Sequence, residues 1–304
     1  MIEVSGLTKR YRNVLAVNNL TFRVMPGRVT GFLGSNGAGK TTTLKMIAGL
    51  VQPTSGTATV NGANYRDITD PAKHIGVVLE STVAHPARSA KANMLIGAAS
   101  IGAPYERVSE LLQLVGLNEH AEKRVGAYSL GMRQRLSLAM ALLGDPSVLI
   151  LDEPGNGLDP QGIAWLRNFL KWLSTQGKTV LVSSHQLSEM SQMADDVVII
   201  ASGHEVASGP LDQIIQGIGG VEIKFRTPEP ERMIQVIQAA GGRAHFKGAG
   251  LVDVSGLPLE QVGALVAQSQ IIIYEMTTSR GLEEAFLQLT ANPQSSTAWN
   301  AISE

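Results

Sequence analysis

The most chemically informative segment of the sequence is a glycine-rich loop that ends in a lysine and two threonines. The loop Gly34–Thr41, GSNGAGKT, follows the apolar segment Val29–Leu33 and fits the pattern G-x-x-x-x-G-K-[ST]. In that pattern backbone N–H groups surround phosphate oxygens, and the following helix adds the positive end of its dipole. The predicted phosphate contacts come from Gly34, Ser35, Asn36, Gly37, Ala38, Gly39, Lys40, Thr41 and Thr42, with Lys40 on the β- and γ-phosphates and the Thr41 hydroxyl on Mg²⁺. The alternative is a glycine-rich turn that arises by chance.

Two adjacent acids follow a second apolar segment. Val148–Leu151 predicts a buried strand, and Asp152 and Glu153 come directly after it. In a phosphate site Asp152 would hold the Mg²⁺ shell, and Glu153 would act as a general base on the attacking water. An isolated Asp-Glu pair more often caps a strand or forms a surface ion pair. Downstream of a phosphate loop, the pair instead predicts binding and hydrolysis of a nucleoside triphosphate.

A third candidate site lies at the start of an amphipathic helix. Ser129 precedes Leu130, Gly131 and Met132, and a helical pattern follows. By itself this predicts a serine that caps the helix. A helix N-terminus with Ser and Gly is also a good site for an anion, so both interpretations stay open at this point.

Strands and helices alternate in a way that predicts an α/β fold with a largely parallel sheet covered on both faces. An insert over about residues 84–143 is predicted to be mostly helical. The predicted strands are Met1–Val4, Ala16–Val24, Val29–Leu33, Thr57–Val60, Val148–Leu151, Thr179–Ser183 and Val197–Ile200, and the predicted helices are Thr42–Leu50, Ile163–Ser174 and Leu187–Met193.

The pattern changes near residues 216–220, which predicts a second domain. Its order, β-α-β-β-α-β, is that of a small α+β ferredoxin-like unit. The predicted segments are strand Val221–Arg226, helix Pro228–Ala240, strands Arg243–Lys247 and Leu251–Ser255, helix Leu259–Gln268 and strand Ile271–Glu275. A last helix, Leu282–Leu289, would follow Ser279 as its N-cap. The expected domains are therefore 1–215 and 220–291, followed by a polar tail, 292–304.

The composition excludes several classes of protein. The chain of 304 residues has 25 basic and 26 acidic residues, and this balance argues against a nucleic-acid binder. There is no cysteine, which excludes a disulfide framework. We find no signal peptide and no apolar run of about 18 residues, the length that a membrane helix needs. A cytoplasmic protein is expected, whose membrane role, if it has one, comes through a partner.

Taken together, the motifs resemble those of the ATP-binding cassette (ABC) ATPases over residues 1 to about 210. GSNGAGKT is similar to their Walker A motif and VLILDE to their Walker B motif. YSLGM, which contains Ser129 and Gly131, is similar to their signature motif, and Asn156–Asp159 to their D-loop. His185 stands at the position of the switch histidine, and Tyr11 at that of the aromatic residue that stacks on adenine.

The resemblance implies a head-to-tail dimer, either homo- or heteromeric, that holds two ATP molecules at its seam. Ser129 and Gly131 would contact the γ-phosphate of the ATP held by the partner, and Asp159 would belong to the D-loop at the seam. His185 would bind the γ-phosphate and the water, and Tyr11 would stack on adenine. Without the resemblance, Tyr11 is a half-buried surface aromatic and His185 a satisfied histidine at a strand end.

Two departures from the family pattern affect these expectations. Glu80 stands where the family usually has Gln, and as a carboxylate it is a candidate third Mg²⁺ ligand with Thr41 and Asp152. A Glu there resembles the subgroup that exports bacitracin and lantibiotics. Leu130 and Met132 replace the usual Gly and Gln of the signature motif, and the loss of the Gln is expected to weaken the closed dimer.

These observations predict an ATP-hydrolysing subunit of an ABC-type exporter. It would sit on the inner face of the cell membrane through a separate permease and export an antibiotic, peptide or lipid-like drug. The second domain is expected to add dimer contacts or regulation. The alternatives are a soluble cassette ATPase that acts in translation or assembly, and a nucleotide-gated regulatory module. The single cassette argues against the first, and Glu153 and His185 argue against the second.

Overall fold

The structure is a computed structural model, and it describes residues 1–79, 84–218 and 221–280. These residues form two compact units, the first over residues 1–208 and the second beginning at Gly209. Glu80 and the helix predicted over Leu282–Leu289 lie outside the described residues. Within the described ranges, no helix is both long and apolar enough to cross a membrane.

The first unit contains two sheets and an insert of helices. Its strands are β1 (Ile2–Tyr11), β2 (Val14–Val24), β3 (Val29–Leu33), β4 (Ser55–Val60), β5 (Ile75–Val78), β6 (Val148–Leu151), β7 (Thr179–Ser184), β8 (Asp196–Ala201) and β9 (His204–Pro210). Its helices are α1 (Lys40–Ile47), α2 (Ala90–Ile101), α3 (Glu106–Leu114), α4 (Leu130–Ala141), α5 (Pro160–Thr175) and α6 (Leu187–Met193).

The larger sheet has the order β5-β6-β7-β3-β8-β9, and the pairs among its first five strands are parallel. Every residue of β3, β6 and β7 is buried. Burial along the whole strand is what a parallel sheet covered on both faces requires, and it explains why these strands are continuous apolar runs. The α/β prediction is therefore confirmed.

The smaller sheet is antiparallel, with the order β2-β1-β4. Asn61 and Gly62 follow β4 with φ angles of 51° and 85°. Two successive positive φ angles define the type I′ turn that the Asn-Gly pair predicts. β1 extends seven residues beyond the predicted Val4, to Tyr11. The polar residues in that extension hide it from a hydrophobicity pattern, but β2 and β4 pair with it from both sides.

The insert is helical, as the sequence predicts. Serines cap α2 and α4: Ser89 Oγ accepts a hydrogen bond from Ala92 N, and Ser129 Oγ accepts one from Met132 N. Each bond satisfies one of the N–H groups that the first turn of a helix leaves unpaired. The serine cap predicted at residue 129 is therefore confirmed.

The second unit contains α7 (Leu211–Ile218), β10 (Val221–Arg226), α8 (Pro230–Ala239), β11 (Arg243–Gly248), β12 (Leu251–Ser255), α9 (Leu259–Gln268) and β13 (Glu275–Arg280). From β10 onward the order is β-α-β-β-α-β, and the antiparallel sheet has the order β11-β12-β10-β13, which is the ferredoxin-like arrangement. Its core packs residues of both helices, such as Met233 and Val262, against Phe225 and Val252.

Within the described residues of this unit, the predicted position of the last strand is wrong. The sequence predicts a strand over Ile271–Glu275, whereas β13 begins at Glu275. Ile271 is instead buried in the core of the unit, and Ile272 is 56% exposed. The apolar run therefore covers the core as a loop, and Ser279, the predicted helix cap, belongs to the strand.

Candidate active site

The glycine-rich loop connects the buried strand β3 to the N-terminus of α1. Gly39 precedes the helix with a φ of +104°, and a Cβ added there would lie 2.5 Å from the Ala16 carbonyl oxygen. Both the backbone conformation and the space therefore require glycine. This close approach fixes the loop against β2 and directs the first turn of α1 into the cleft.

Lys40 begins α1 and is almost fully buried, with an exposed fraction of 6%. Its Nζ donates a hydrogen bond of 2.7 Å to the Gly34 carbonyl and lies 3.2 Å from Glu153 Oε1. A buried ammonium must be paired, and these two oxygens pair it. The charge is thus held between the phosphate loop and the acid at the end of β6.

Asp152 accepts two hydrogen bonds from hydroxyl groups. Thr41 Oγ1 donates to its Oδ2 over 2.7 Å, and Ser183 Oγ donates to its Oδ1 over 2.5 Å. The parallel register of β6 and β7 pairs Leu151 with Val182, so the next residue of each strand reaches the same edge of the sheet. A carboxylate and a hydroxyl within hydrogen-bond distance are oxygen donors of the kind that Mg²⁺ prefers. The described residues contain no cluster of three or more His, Cys, Asp or Glu that could enclose a metal by itself.

Glu153 has a left-handed backbone conformation, with a φ of 49°. This conformation is unfavourable for a residue with a side chain, and strain of this kind concentrates at functional sites. It places the carboxylate between two cationic or polar groups: Oε1 faces Lys40, and Oε2 lies 2.8 Å from His185 Nδ1. Since a carboxylate only accepts, His185 donates through Nδ1–H.

A second acid lies near this pair. Burial raises the pKa of Glu189 above its ordinary value, the charge of Glu153 raises it further, and His185 opposes the shift. The carboxylate also packs against the chain after Glu153, because a Cβ added at Gly155 would lie 2.9 Å from Glu189 Oε2. His185 therefore lies near two carboxylates, those of Glu153 and Glu189.

A cleft of about 730 Å³ opens at this site. Its lining includes most of the phosphate loop, Asp152, Glu153 and His185. One face of α4 also lines it, through side chains spaced at i, i+3, i+4 and i+7: Leu130, Arg133, Gln134 and Ser137. We did not predict this face or Ser183 from the sequence. The helical spacing after Ser129 could have indicated that one face of α4 lines the cleft. The predicted strand that ends at Ser183 could have indicated that this residue reaches the edge of the sheet.

Among the described residues, six predicted site residues lie outside the lining of this cleft: Gly34, Ala38, Ser129, Gly131, Asp159 and Tyr11. Ser129 caps α4, and Gly131 lies in the first turn of that helix. Asp159 caps α5 by accepting a 2.8 Å hydrogen bond from Gly162 N. Tyr11, at the end of β1, is 45% exposed, and Lys9 Nζ lies 4.9 Å from the centre of its ring. Of the predicted metal ligands, Thr41 and Asp152 come together, and Glu80 is outside the described residues.

A phosphate loop after a buried parallel strand, with an acid pair at the end of another strand of the same sheet, defines a P-loop nucleoside triphosphatase. Comparisons with known proteins narrow this class. The sequence profile of the ABC transporter family matches residues 17–156, and a profile described as a domain of unknown function matches residues 221–283.

Individual relatives agree with the profile. The chain is 42% identical over 217 residues to the bacitracin transport ATP-binding protein BcrA of Bacillus licheniformis, covering 70% of this chain and 71% of the relative. It is 34% identical over 298 residues to the Nod factor export ATP-binding protein I of Burkholderia lata, covering 95% and 96%. A solved structure of an ATP-binding subunit of an ABC transporter matches with a TM-score of 0.65 and 29% identity, covering 71% of this chain and 92% of that one.

The chain therefore belongs to the ATP-binding proteins of the ABC transporter family. It is an ATP-binding and ATP-hydrolysing subunit of the ABC transporter type. Proteins of this kind dimerise and pair with membrane permeases, which agrees with the expectation from the sequence.

Proposed function

We propose that this chain drives export of a peptide antibiotic or a lipid-like drug through a separate membrane permease, by closing a head-to-tail dimer around two ATP molecules. The observation that carries the chemistry is the placement of Glu153 between Lys40 and His185, next to the Thr41–Asp152 pair. The cargo class rests on the likeness to the bacitracin and Nod factor proteins.

Within one subunit, each group has a distinct task. The backbone N–H groups of Gly34–Thr41 and the Lys40 ammonium bind the β- and γ-phosphates. Thr41 and Asp152 would hold Mg²⁺, which would neutralise charge on the phosphate oxygens. Glu153 accepts a proton from the attacking water, and His185 orients that carboxylate and contacts the γ-phosphate. Lys40 must exchange its contact with Glu153 for the phosphates, which frees the base when ATP binds.

The signature turn is assigned to the partner's ATP. Ser129 and Gly131 lie outside the lining of their own cleft, and the first turn of α4 presents N–H groups that suit an anion. A second copy, or a related subunit, that supplies this turn would complete the site. ATP then favours the closed dimer because it contacts both subunits only in that state.

Tyr11 is proposed to stack on adenine. Its ring is half exposed, and Lys9 covers one face. The base would take the free face, and the ammonium would remain as a cation–π partner on the other.

The hydrolytic assignment is tested by Glu153→Gln. This change keeps the shape and removes the base, so ATP binding should persist while turnover falls by about 10²–10⁴-fold. The control is Glu119→Gln, on the exposed surface of the insert. Normal turnover in Glu153→Gln would remove Glu153 from its proposed role.

The transport assignment is tested by affinity purification from detergent-solubilised membranes. We expect a hydrophobic, multi-span protein to copurify at a fixed ratio, and the protein to sit on the inner face of the cell membrane through it. Recovery only with ribosomes or soluble assemblies would support a translation or assembly factor instead.

A further inference from the structure

Leu130 is the first residue of α4 and stands where the family pattern has a glycine. Its side chain is 40% exposed, and it lines the ATP cleft. It does not simply point to solvent. A Cβ added at Gly157 would lie 2.7 Å from Leu130 Cδ2, closer than real contacts allow. The leucine therefore packs directly onto the backbone of the D-loop, at a residue whose φ is +72°.

The contact is reciprocal. A Cβ added at Gly131 would lie 3.7 Å from Leu158 Cδ2, in ordinary van der Waals contact. Each turn thus sets a leucine against a glycine of the other: Leu130 against Gly157, and Leu158 against Gly131. A glycine at position 130 would leave the first of these contacts unmade, because it has no side chain.

The D-loop is in turn hydrogen-bonded to the catalytic segment. Asn156 N donates to the Glu153 carbonyl over 3.1 Å, and Leu158 N donates to the Gly155 carbonyl over 3.1 Å. A displacement of Gly157 therefore acts on the backbone of Glu153 through one residue. That backbone is already in the left-handed conformation, so its side chain direction depends on what holds this turn.

We propose that Leu130 is a positioning residue that couples the signature turn of a subunit to the Glu153 of the same subunit. The proposal rests on the dimer proposed above, in which the signature turn engages the partner's ATP and Glu153 acts on its own. When Ser129 and Gly131 take up the partner's phosphate, Leu130 presses on Gly157 and sets Glu153. The two ATP sites then communicate through one side chain in each subunit.

The test compares turnover against ATP concentration for the wild type, Leu130→Gly, Leu130→Ala and Leu130→Met. We expect Leu130→Gly to lower kcat by about 5-fold or more, the low end of typical coupling between sites, and to make the ATP dependence less steep. ATP binding to the isolated subunit and the thermal midpoint should stay close to those of the wild type, because a half-exposed side chain contributes little to stability. Leu130→Met, whose side chain is long enough to contact Gly157, should have a kcat close to that of the wild type.

A double-mutant cycle isolates the contact. Gly157→Ala creates the clash with Leu130, and Leu130→Gly removes it, so the pair should be non-additive, with the double variant less impaired than the two single losses predict. Gly177→Ala is the matched control for backbone strain: its φ is +78°, and nothing lies within 4 Å of an added Cβ.

Additive effects, or a wild-type kcat and ATP dependence in Leu130→Gly, would overturn the coupling role. If kcat in Leu130→Gly falls together with the thermal midpoint, Leu130 contributes to folding and the coupling role is also overturned. Failure of the proposed ATPase chemistry has a different result: turnover would persist in Glu153→Gln.

Discussion

The Ser183 hydroxyl donates to Asp152 Oδ1 over 2.5 Å, and both residues are almost fully buried. Ser183 Oγ in turn accepts a 2.9 Å hydrogen bond from Glu153 N. Ser183 therefore fixes both acids at once, one through its carboxylate and the other through its backbone. The strand next to the acids thus determines where Asp152 and Glu153 lie.

Replacement of Ser183 by Ala should be costly. It leaves an oxygen of buried Asp152 and the Glu153 N–H without this partner, which predicts a loss of about 1–3 kcal/mol in the free energy of unfolding. Urea unfolding followed by tryptophan fluorescence measures it, since Trp165 and Trp172 both lie on α5. The control is Ser174→Ala, whose hydroxyl donates only to a carbonyl of its own helix. Equal losses in the two variants would contradict the special position of Ser183.

Replacement of Lys40 by Ala should abolish most nucleotide binding. A charge-assisted contact of about 1.5–3 kcal/mol corresponds to about a 10–100-fold weaker Kd for ATP. Titration with a fluorescent ATP analogue measures the change. Lys45→Ala is the matched control, because Lys45 lies on the same helix but outside the cleft lining. An unchanged affinity in Lys40→Ala would exclude the phosphate-loop assignment.

Arg135 on α4 contacts α5 and the residue that directly follows α3. Its guanidinium lies 4.3 Å from the centre of the Trp165 ring, and Nη1 donates to the Val115 carbonyl over 3.3 Å. Arg135→Ala should lower the free energy of unfolding by about 1–2 kcal/mol. Arg135→Lys should recover only part of this, because an ammonium lacks the planar fork that stacks and donates together.

The control for Arg135 is Arg167→Ala, which removes an exposed contact with Gln192. A change within about 0.5 kcal/mol is expected there. If Arg135→Lys were fully stable, a positive charge alone would be sufficient and the planar contact would not matter.

Glu189→Gln should change the pH dependence of stability. The pKa of Glu189 is raised in the folded state, so the ionised carboxylate opposes folding and its protonated form does not. At pH 7 the Gln variant should therefore be slightly more stable, by about a few tenths of a kcal/mol, given the exposure of the group. The advantage should shrink as the pH falls through the raised pKa and vanish below the ordinary one. Thermal melts from pH 4 to 8 test this, and a growing advantage at low pH would contradict it.

The parts of this fold that depend on neighbours in the sequence were predictable. β3, β6 and α6 have the predicted bounds because continuous apolar runs and helical spacing are properties of the local sequence. The serine cap of α4 and the Asn61–Gly62 turn are equally local. Segments whose pairing overrides their composition were not predictable: β9, with the sequence HEVASGP, has no apolar run, yet it forms the edge of the large sheet beside β8.

By itself, the sequence determined the chemistry available to this protein: a phosphate loop, an acid pair, a histidine and a signature turn, each recognisable from adjacent residues. The tertiary structure decided which of these groups meet. Lys40 on Glu153, Ser183 on Asp152 and Leu130 on Gly157 are contacts between segments far apart in the chain. These contacts follow from the order and register of the parallel strands and from the packing of α4. Long-range packing fixes both, so no local sequence pattern encodes them.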